Sequence, residues 1–169
     1  MPEGRREQVV AARDAMHKQG FFYVVNHGLS QATNDRMLDI GSIAFDEVGD
    51  EEKRQYEAKI KETGTYLGYK LPQYWHISNG VRDRITHYNL PRDVSKRQHP
   101  QALRPYLPEI QDMIKFTHCT VLNEVQKLLS LGLELPEDTL SDLHCFDETN
   151  HSFSIRDPKK KKRRQKVSG

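Results

Sequence analysis

The residues of this chain that could perform chemistry are its eight histidines, and His27 has the most suggestive setting among them. It follows five large apolar residues, Phe21–Val25, in the stretch QGFFYVVNHGLS, and Gly28 comes directly after it. At the end of a buried strand an imidazole can bind a metal ion or exchange protons near neutral pH. The same position is also typical of a turn in which the imidazole bonds nearby backbone. A catalytic or metal-binding role for His27 would need partner residues elsewhere in the sequence.

Two other histidines have polar neighbours, but neither has a standard metal-ligand spacing. His118 stands beside Cys119 on the apolar stripe of a predicted helix, where a core histidine with satisfied hydrogen bonds is the commoner case. His144 and Cys145 precede two acidic residues in a loose cluster that is more typical of a surface loop. The two cysteines form no CxxC pair and are too few for a disulfide framework, so we expect a reducing compartment.

The composition is that of a soluble protein with a modest core. Charged residues make up 30% of the chain and apolar residues 36%. No run reaches the ~18 apolar residues that a membrane span needs, and the N-terminus MPEGRREQ has no hydrophobic segment of the signal-peptide type. We therefore expect a cytoplasmic protein with no membrane partner.

The net charge of +2 hides a strong asymmetry along the chain. Residues 157–169 carry a charge of +6, whereas residues 1–156 carry −4. The mildly acidic body argues against a nucleic-acid-binding face, which would be basic. Residues 156–169 are predicted to be a disordered basic tail that binds polyanions weakly. Its cationic residues also have the density of a nuclear-import signal: Lys159, Lys160, Lys161, Lys162, Arg163, Arg164 and Lys166.

The apolar pattern predicts an α+β fold, mostly helical with a few short strands. Helices are expected at five places: residues 5–19, from Ser30 onward, from Asp50 through DEEKRQYEA, over Leu107–Leu129 and from Pro136. Gly20 is expected to end the first helix, Ser30 to cap the second and Asp50 to cap the third. Strands are predicted over Phe21–Val25 and Arg82–Leu90, the first of them buried on both faces because its apolar run does not alternate. Between them, residues 63–79 are predicted to be a loop rich in glycine and tyrosine.

The order of these segments resembles the N-terminal region of the isopenicillin N synthase-like 2-oxoglutarate- and Fe(II)-dependent dioxygenases. The string GFFYVVNHG is the most specific element, and RDRITHYNL and the long helix followed by LGLELPED add support. The resemblance covers residues 5–150. It implies a domain over residues 1–155 that packs, in complete members, on a double-stranded β-helix core, most of which this chain lacks.

In complete members of that family, the resemblance implies Fe(II) bound by two imidazoles and a carboxylate, with 2-oxoglutarate held by an arginine. The first two iron ligands come as His-x-Asp and the arginine as Arg-x-Ser. None of the eight histidines has an acidic residue two positions later, and no arginine is followed by such a serine. We therefore expect no catalytic, metal-binding or cofactor-binding residue and no cofactor in this chain.

The resemblance also decides between the two alternatives for His27. In the family, Asn-His-Gly ends the strand and turns into the next helix, so a structural role is expected for His27 and Gly28. Loops of this lobe overhang the substrate pocket in complete members. Four aromatic residues are accordingly candidates for a pocket wall, with ordinary packing as the alternative: Tyr66, Tyr69, Tyr74 and Trp75.

Two hypotheses for the whole chain follow. In the first, it is the N-terminal lobe of an oxygenase that acts on a small organic substrate, truncated before the jelly roll and inactive as it stands. In the second, it is a non-catalytic interaction module that pairs with a full-length relative and enters the nucleus through its basic tail. Because Phe21–Val25 needs strand neighbours on both sides, we also expect the isolated chain to be poorly stable as a monomer and to self-associate.

Overall fold

The computed structural model describes residues 2–146 of the chain. The α-helices are α1 Glu3–Lys18, α2 Gln31–Asp46, α3 Asp50–Gln55, α4 Ile60–Thr63, α5 Leu107–Phe116, α6 Asn123–Gly132 and α7 Thr139–Leu143. The strands are β1 Gly68–Lys70, β2 His76–Ser78, β3 Val81–Arg82 and β4 His87–Asn89. Within the described range, none of the helices has the length and apolarity to cross a bilayer. The predicted α+β class is confirmed.

Local signals place the first two helices where the sequence predicted them. Helix α1 ends before Gly20, whose φ of +81° is the left-handed conformation that glycine adopts freely, and whose N–H donates to the carbonyl of Ala15 at 3.0 Å. Helix α2 begins after Ser30, whose hydroxyl accepts the N–H of Thr33 at 3.1 Å. The third helix differs slightly from its prediction, because Asp50 is its first residue and Gly49 occupies the cap position.

The predicted long helix is present, and a π-helical segment divides it. Helix α5 runs into Thr117–Leu122, which has π-helical hydrogen bonding, and the chain continues into α6. Helix α1 packs against α6. Gly132 lies so close to α1 that a Cβ on it would come within 3.0 Å of the Cβ of Arg13. The helix expected from Pro136 begins three residues later, at Thr139.

The strands form two small antiparallel sheets. Strand β1 pairs with β4, with Tyr69 opposite Tyr88, and β2 pairs with β3 in a hairpin. The predicted strand Arg82–Leu90 is therefore wrong as a single element. Its first residue belongs to β3, its later residues form β4, and these two strands lie in different sheets. The predicted loop over residues 63–79 in fact contains β1 and β2. Strands of two or three residues have too few positions for an alternating pattern to appear in the sequence.

The core lies where α2 meets the segment that leads into α5. Ile43 and Ala44 of α2 pack on Leu103, and Tyr88 of β4 contacts the same cluster. Tyr69 has no exposed surface, and its hydroxyl donates to the carbonyl of Ala44 at 2.6 Å. The small sheet is thereby attached to α2 through an aromatic pair, with the rings of Tyr69 and Tyr88 centred 4.4 Å apart.

The apolar segment Phe21–Val25 is not a buried strand, which corrects the clearest strand prediction. It forms no strand with any described residue, and it is mostly open to solvent, with Phe21 59%, Tyr23 86% and Val25 74% exposed. Phe22 is half-buried, as expected when alternate side chains of an extended segment point in opposite directions. A strand needs a neighbour to bond with, and no other described segment forms backbone hydrogen bonds with this one.

Candidate functional site: a docking edge and an aromatic loop

The exposed segment Phe21–Val25, which we call the docking edge, leaves its backbone polar groups unpaired. None of its N–H or C=O groups has a hydrogen-bond partner among residues 2–146. Phe21 and Tyr23 contact each other edge to face, with ring centres 6.0 Å apart, on the solvent side. An open edge that carries β-branched and aromatic side chains is the arrangement that accepts another strand.

His27 belongs to the turn that follows the docking edge. Its Nδ1 accepts the N–H of Leu29 at 3.3 Å, while Asn26 and Gly28 both have positive φ, 54° and 89°. A Cβ on Gly28 would lie in ordinary contact with the ring of Phe116, at 3.4 Å, so it is the positive φ that favours glycine at this position. The structural role expected for His27 is confirmed.

His118 also has a structural environment. Its Nε2 bonds to the carbonyl of His144 at 2.9 Å, and the two rings stack with centres 5.0 Å apart. The ring of Phe146 lies against His118 edge to face, and Arg92 donates to the carbonyls of Cys145 and Phe146. The segment after α7 is thus attached both to the π-helical part of the long helix, through His118, and to Arg92.

Three of the four aromatic residues predicted for a pocket wall lie together. Trp75 contacts Tyr74 edge to face, with ring centres 4.8 Å apart, and lies 6.3 Å from the ring of Tyr66. Tyr66 and Trp75 are exposed, so both rings present surface to a ligand or to another domain. Tyr69 is different: it has no exposed surface, and burial raises its pKa to about 12. The pocket-wall role remains a prediction for all four residues, although within residues 2–146 only Tyr66, Tyr74 and Trp75 have surface to offer for it.

A buried ion pair beneath this aromatic group was missed by the sequence analysis. Lys70 of β1 bonds to Asp83, and the side chains are only 3% and 7% exposed. The two residues stand thirteen positions apart in a segment without periodicity, and Lys and Asp are seldom fully buried. The sequence signal that could have found the pair is weak: two opposite charges within a predicted loop that is otherwise rich in aromatic residues.

The described residues do not fit the iron site of the family. No group of three His, Cys, Asp or Glu side chains within residues 2–146 is placed to hold a metal ion. Ring nitrogens of His27, His99 and His118 are engaged with protein groups. The import-signal candidates Lys159, Lys160, Lys161, Lys162, Arg163, Arg164 and Lys166 lie outside the described residues, as does the predicted domain boundary at residue 155.

A largely apolar space separates α2 from α5. One cavity of about 240 Å³ is lined by apolar side chains such as Ile40 and Met113, with Tyr88 at its wall. A second cavity of about 550 Å³ adjoins it, and the bidentate pair between Arg36 and Glu109 lies at its rim, at 2.9 and 3.0 Å. The first cavity is apolar apart from Tyr88, whereas Glu109 and Asp112 line the second one together with Arg36.

His99 is a buried histidine with a hydrogen bond at each ring nitrogen. Its Nε2 lies 2.8 Å from the carbonyl of Val94, which can only accept, so Nε2 carries the hydrogen. In the neutral ring Nδ1 then accepts the hydroxyl of Tyr88 at 2.7 Å. Burial lowers the pKa of His99 below its ordinary value, and the cationic Arg97 and Arg104 act in the same direction, against the bond to Val94.

This environment predicts a loss of stability in mild acid. Because the pKa of His99 is lower in the folded chain, the unfolded chain binds more protons below pH ~6.5, and stability falls as the pH decreases from there. The maximum slope from one such group is about 1.4 kcal/mol per pH unit. We expect the melting temperature to fall between pH 7.5 and 5.5, and the fall to be smaller in His99→Gln. The matched control is His87→Gln at an exposed histidine; an equal pH dependence in His99→Gln and the parent would contradict the prediction.

Comparison with known proteins agrees with this structure. The model of the non-haem dioxygenase N-terminal domain, described as that of the enzymes of morphine synthesis, matches residues 1–109. A 1-aminocyclopropane-1-carboxylate oxidase homolog from Solanum lycopersicum is 32% identical over 86% of this chain and 39% of its own length. Deacetoxyvindoline 4-hydroxylase from Catharanthus roseus is 42% identical over 86% of this chain and 35% of its own length. No solved structure matches significantly.

The described residues form a mostly helical lobe whose apolar segment Phe21–Val25 is open to solvent. The chain belongs to the isopenicillin N synthase-like non-haem dioxygenase family, to whose N-terminal domain its residues 1–109 correspond. It spans less than two fifths of the length of the two relatives.

Proposed function

We propose that this chain is the N-terminal lobe of a 2-oxoglutarate- and Fe(II)-dependent oxygenase that acts on a small organic substrate. The lobe is inactive by itself and docks on a catalytic core through Phe21–Val25. The observation that carries the proposal is the docking edge, which exposes 86% of Tyr23 and 74% of Val25 beside unpaired backbone groups. Exposed apolar residues of this size next to an unpaired edge are a liability unless another strand covers them.

Two exposed features of the lobe support its proposed role. The docking edge would supply the attachment, by backbone hydrogen bonds to a neighbouring strand and by burial of Phe21, Tyr23 and Val25. The exposed rings of Tyr66 and Trp75 would then form part of the wall around the substrate. In a complete oxygenase the core would supply the iron ligands, the 2-oxoglutarate site and the oxidation, while this lobe would close one side of the pocket.

A chimeric enzyme tests this proposal. The region of deacetoxyvindoline 4-hydroxylase that matches this chain would be replaced by the corresponding residues of the chain, in one polypeptide. We expect a soluble chimera that converts 2-oxoglutarate to succinate. Tyr23→Lys with Val25→Lys should reduce its turnover about tenfold or more, because two charges on an edge strand oppose pairing. The readout is succinate released per molecule of soluble chimera.

The control is Leu38→Lys, which places one positive charge on an apolar side chain that is also exposed, on α2. This control should retain the turnover of the unmodified chimera. A soluble chimera whose turnover is unaffected by the two docking-edge substitutions would contradict the docking role. A soluble chimera that gives no succinate would favour the second candidate, a non-catalytic interaction module, whose distinguishing sequence feature is the basic run at residues 159–166.

A further inference from the structure

The loop between β1 and β4, residues 71–86, carries Tyr74 and Trp75 and lies over the buried Lys70–Asp83 pair. We call it the aromatic loop. We propose that the Lys70–Asp83 pair is a positioning device that holds the aromatic loop in one conformation, so that the rings of Tyr74 and Trp75 are presented in a fixed arrangement. The presumption that these rings face a substrate pocket rests on the proposed function, but the fixed arrangement of the loop does not.

Contacts from two parts of the loop and from β1 converge on the carboxylate of Asp83. One carboxylate oxygen accepts the N–H of Trp75 at 2.6 Å, and the other accepts the N–H of Ile85 at 3.1 Å and the ammonium of Lys70. The backbone of Asp83 bonds to the same loop, since its N–H donates to the carbonyl of Trp75 at 3.0 Å and its carbonyl accepts the N–H of Gln73 at 2.7 Å. A single aspartate thus connects the two sides of the loop.

Lys70 attaches this network to the small sheet. Its ammonium donates to Asp83 and to the carbonyl of Ile85, the latter at 2.6 Å. Lys70 lies opposite His87 in the β1–β4 ladder. Its neighbours in the chain, Tyr69 and Leu71, are buried and half-buried. The hydrogen bond from Lys70 is the main cause that lowers the pKa of Asp83 below its ordinary value.

Because the ammonium of Lys70 and the carboxylate of Asp83 are both buried, each charge depends on the other for its stabilisation. A charge removed from water is stabilised only while its partner and its hydrogen bonds are in place. Moving the loop away from β1 would leave the buried ammonium of Lys70 without its carboxylate and would free the N–H groups of Trp75 and Ile85. Open positions of the loop are therefore disfavoured, even though Ile77, Val81 and Trp75 at its surface are exposed.

The backbone of the loop has further features of a defined conformation. Gln73 has a positive φ of 65°, a region that a residue of its type adopts only where the surroundings hold it. Asn79 and Gly80, with φ of 46° and 80°, form the two-residue turn between β2 and β3 that is usual for a hairpin. Arg82 donates to the carbonyl of Gln73 at 2.9 Å, which supports the same turn from the outside. Asp83 and these contacts place Trp75 between Tyr74 and Tyr66.

Trp75 provides a direct test because it is the single tryptophan of the chain. Its fluorescence and its quenching by acrylamide would be measured in the purified full chain and in Asp83→Asn, Lys70→Met and the double variant. We expect each single variant to raise the quenching constant by about twofold or more, since the loop opens locally. The helical circular dichroism should stay close to that of the parent. The double variant should still be quenched more strongly than the parent, because it too lacks the pair, but less strongly than either single variant, because it leaves no unpaired buried charge.

The matched control is Glu62→Gln, which removes a carboxylate from an exposed pair with Lys59, at 3.9 Å. It should leave the emission of Trp75 unchanged. Unchanged quenching in Asp83→Asn would overturn the proposal. Loss of the helical signal together with the tryptophan signal in the single variants would also overturn it, because the pair would then hold the lobe as a whole.

Hydrogen exchange on the unmodified chain tests the proposal even if a variant does not fold. The amides of Gln73, Trp75, Asp83 and Ile85 all donate to the network, so hydrogen exchange should find them protected within a loop that is otherwise exposed. Unprotected amides at these four positions would overturn the proposal. Neither this measurement nor the quenching requires oxygenase activity, so failure of the positioning role is distinguishable from failure of the proposed function.

Discussion

With Fe(II), 2-oxoglutarate and ascorbate, the purified chain is expected to release no succinate above the rate without protein. The family's iron site needs two imidazoles and a carboxylate that converge on one point. The sequence has no His-x-Asp and no Arg-x-Ser, and residues 2–146 bring no three such ligands together. The measurement is succinate over time, at a chain concentration high enough to detect one turnover per molecule.

Complete deacetoxyvindoline 4-hydroxylase serves as the positive control for this assay, under the same conditions. Calorimetry of Fe(II) with the chain supplies a second readout that does not depend on knowledge of the substrate. Succinate release that increases in proportion to the chain, together with tight one-to-one binding of Fe(II), would contradict the account of an inactive lobe.

Substitution of the docking edge is expected to change the association state of the chain. Phe21, Tyr23 and Val25 expose most of their surface in a segment whose backbone groups lack partners among the described residues. Two copies can satisfy these groups by pairing their edges, at the cost of lost translational freedom. We expect the parent chain to elute as a dimer or larger species at tens of micromolar, and Tyr23→Lys with Val25→Lys to elute as a monomer, with about tenfold weaker association or more.

The control for association is again Leu38→Lys, whose exposed side chain lies on α2 rather than on an unpaired edge. It should associate as the parent does. Light scattering after size-exclusion chromatography gives the masses, and binding of a hydrophobic dye reports the exposed apolar surface. A parent chain that is monomeric at all concentrations and ignores the dye would contradict the prediction.

Features that depend on neighbours in the chain could be predicted from the sequence. The cap at Ser30 and the left-handed Gly20 involve atoms within a few residues, so their residue types are sufficient evidence. The long helix was also predictable, because its apolar positions recur over several turns. Its division by the π-helical segment Thr117–Leu122 changes the hydrogen bonding without changing the apolar stripe and left no signal in the pattern.

Features that depend on distant parts of the chain could not be predicted. A strand exists only where two segments pair, and Phe21–Val25 has the composition of a strand without a partner among residues 2–146. For the same reason Tyr69 was grouped with Tyr66, Tyr74 and Trp75. Residue type does not show that its hydroxyl reaches the carbonyl of Ala44, twenty-five positions away.

The buried ion pair is the clearest case. Lysine and aspartate in a polar segment are expected at the surface, because burying either charge is unfavourable without its partner. Lys70 and Asp83 become partners only after β1 and β4 have paired and brought the ends of the aromatic loop together. A sequence pattern contains the two residues but not the closure of the loop that unites them.

Hydrogen exchange at Phe21–Val25 tests most directly whether the docking edge awaits a catalytic core. It would be measured on the chain, diluted until it is monomeric, and on its chimera with the remainder of deacetoxyvindoline 4-hydroxylase. The account predicts amides that exchange at nearly the unprotected rate in the monomer and are slowed by about a hundredfold or more in the chimera, as in a paired strand. Equal protection of this segment in the monomer and in a soluble, active chimera would contradict the account.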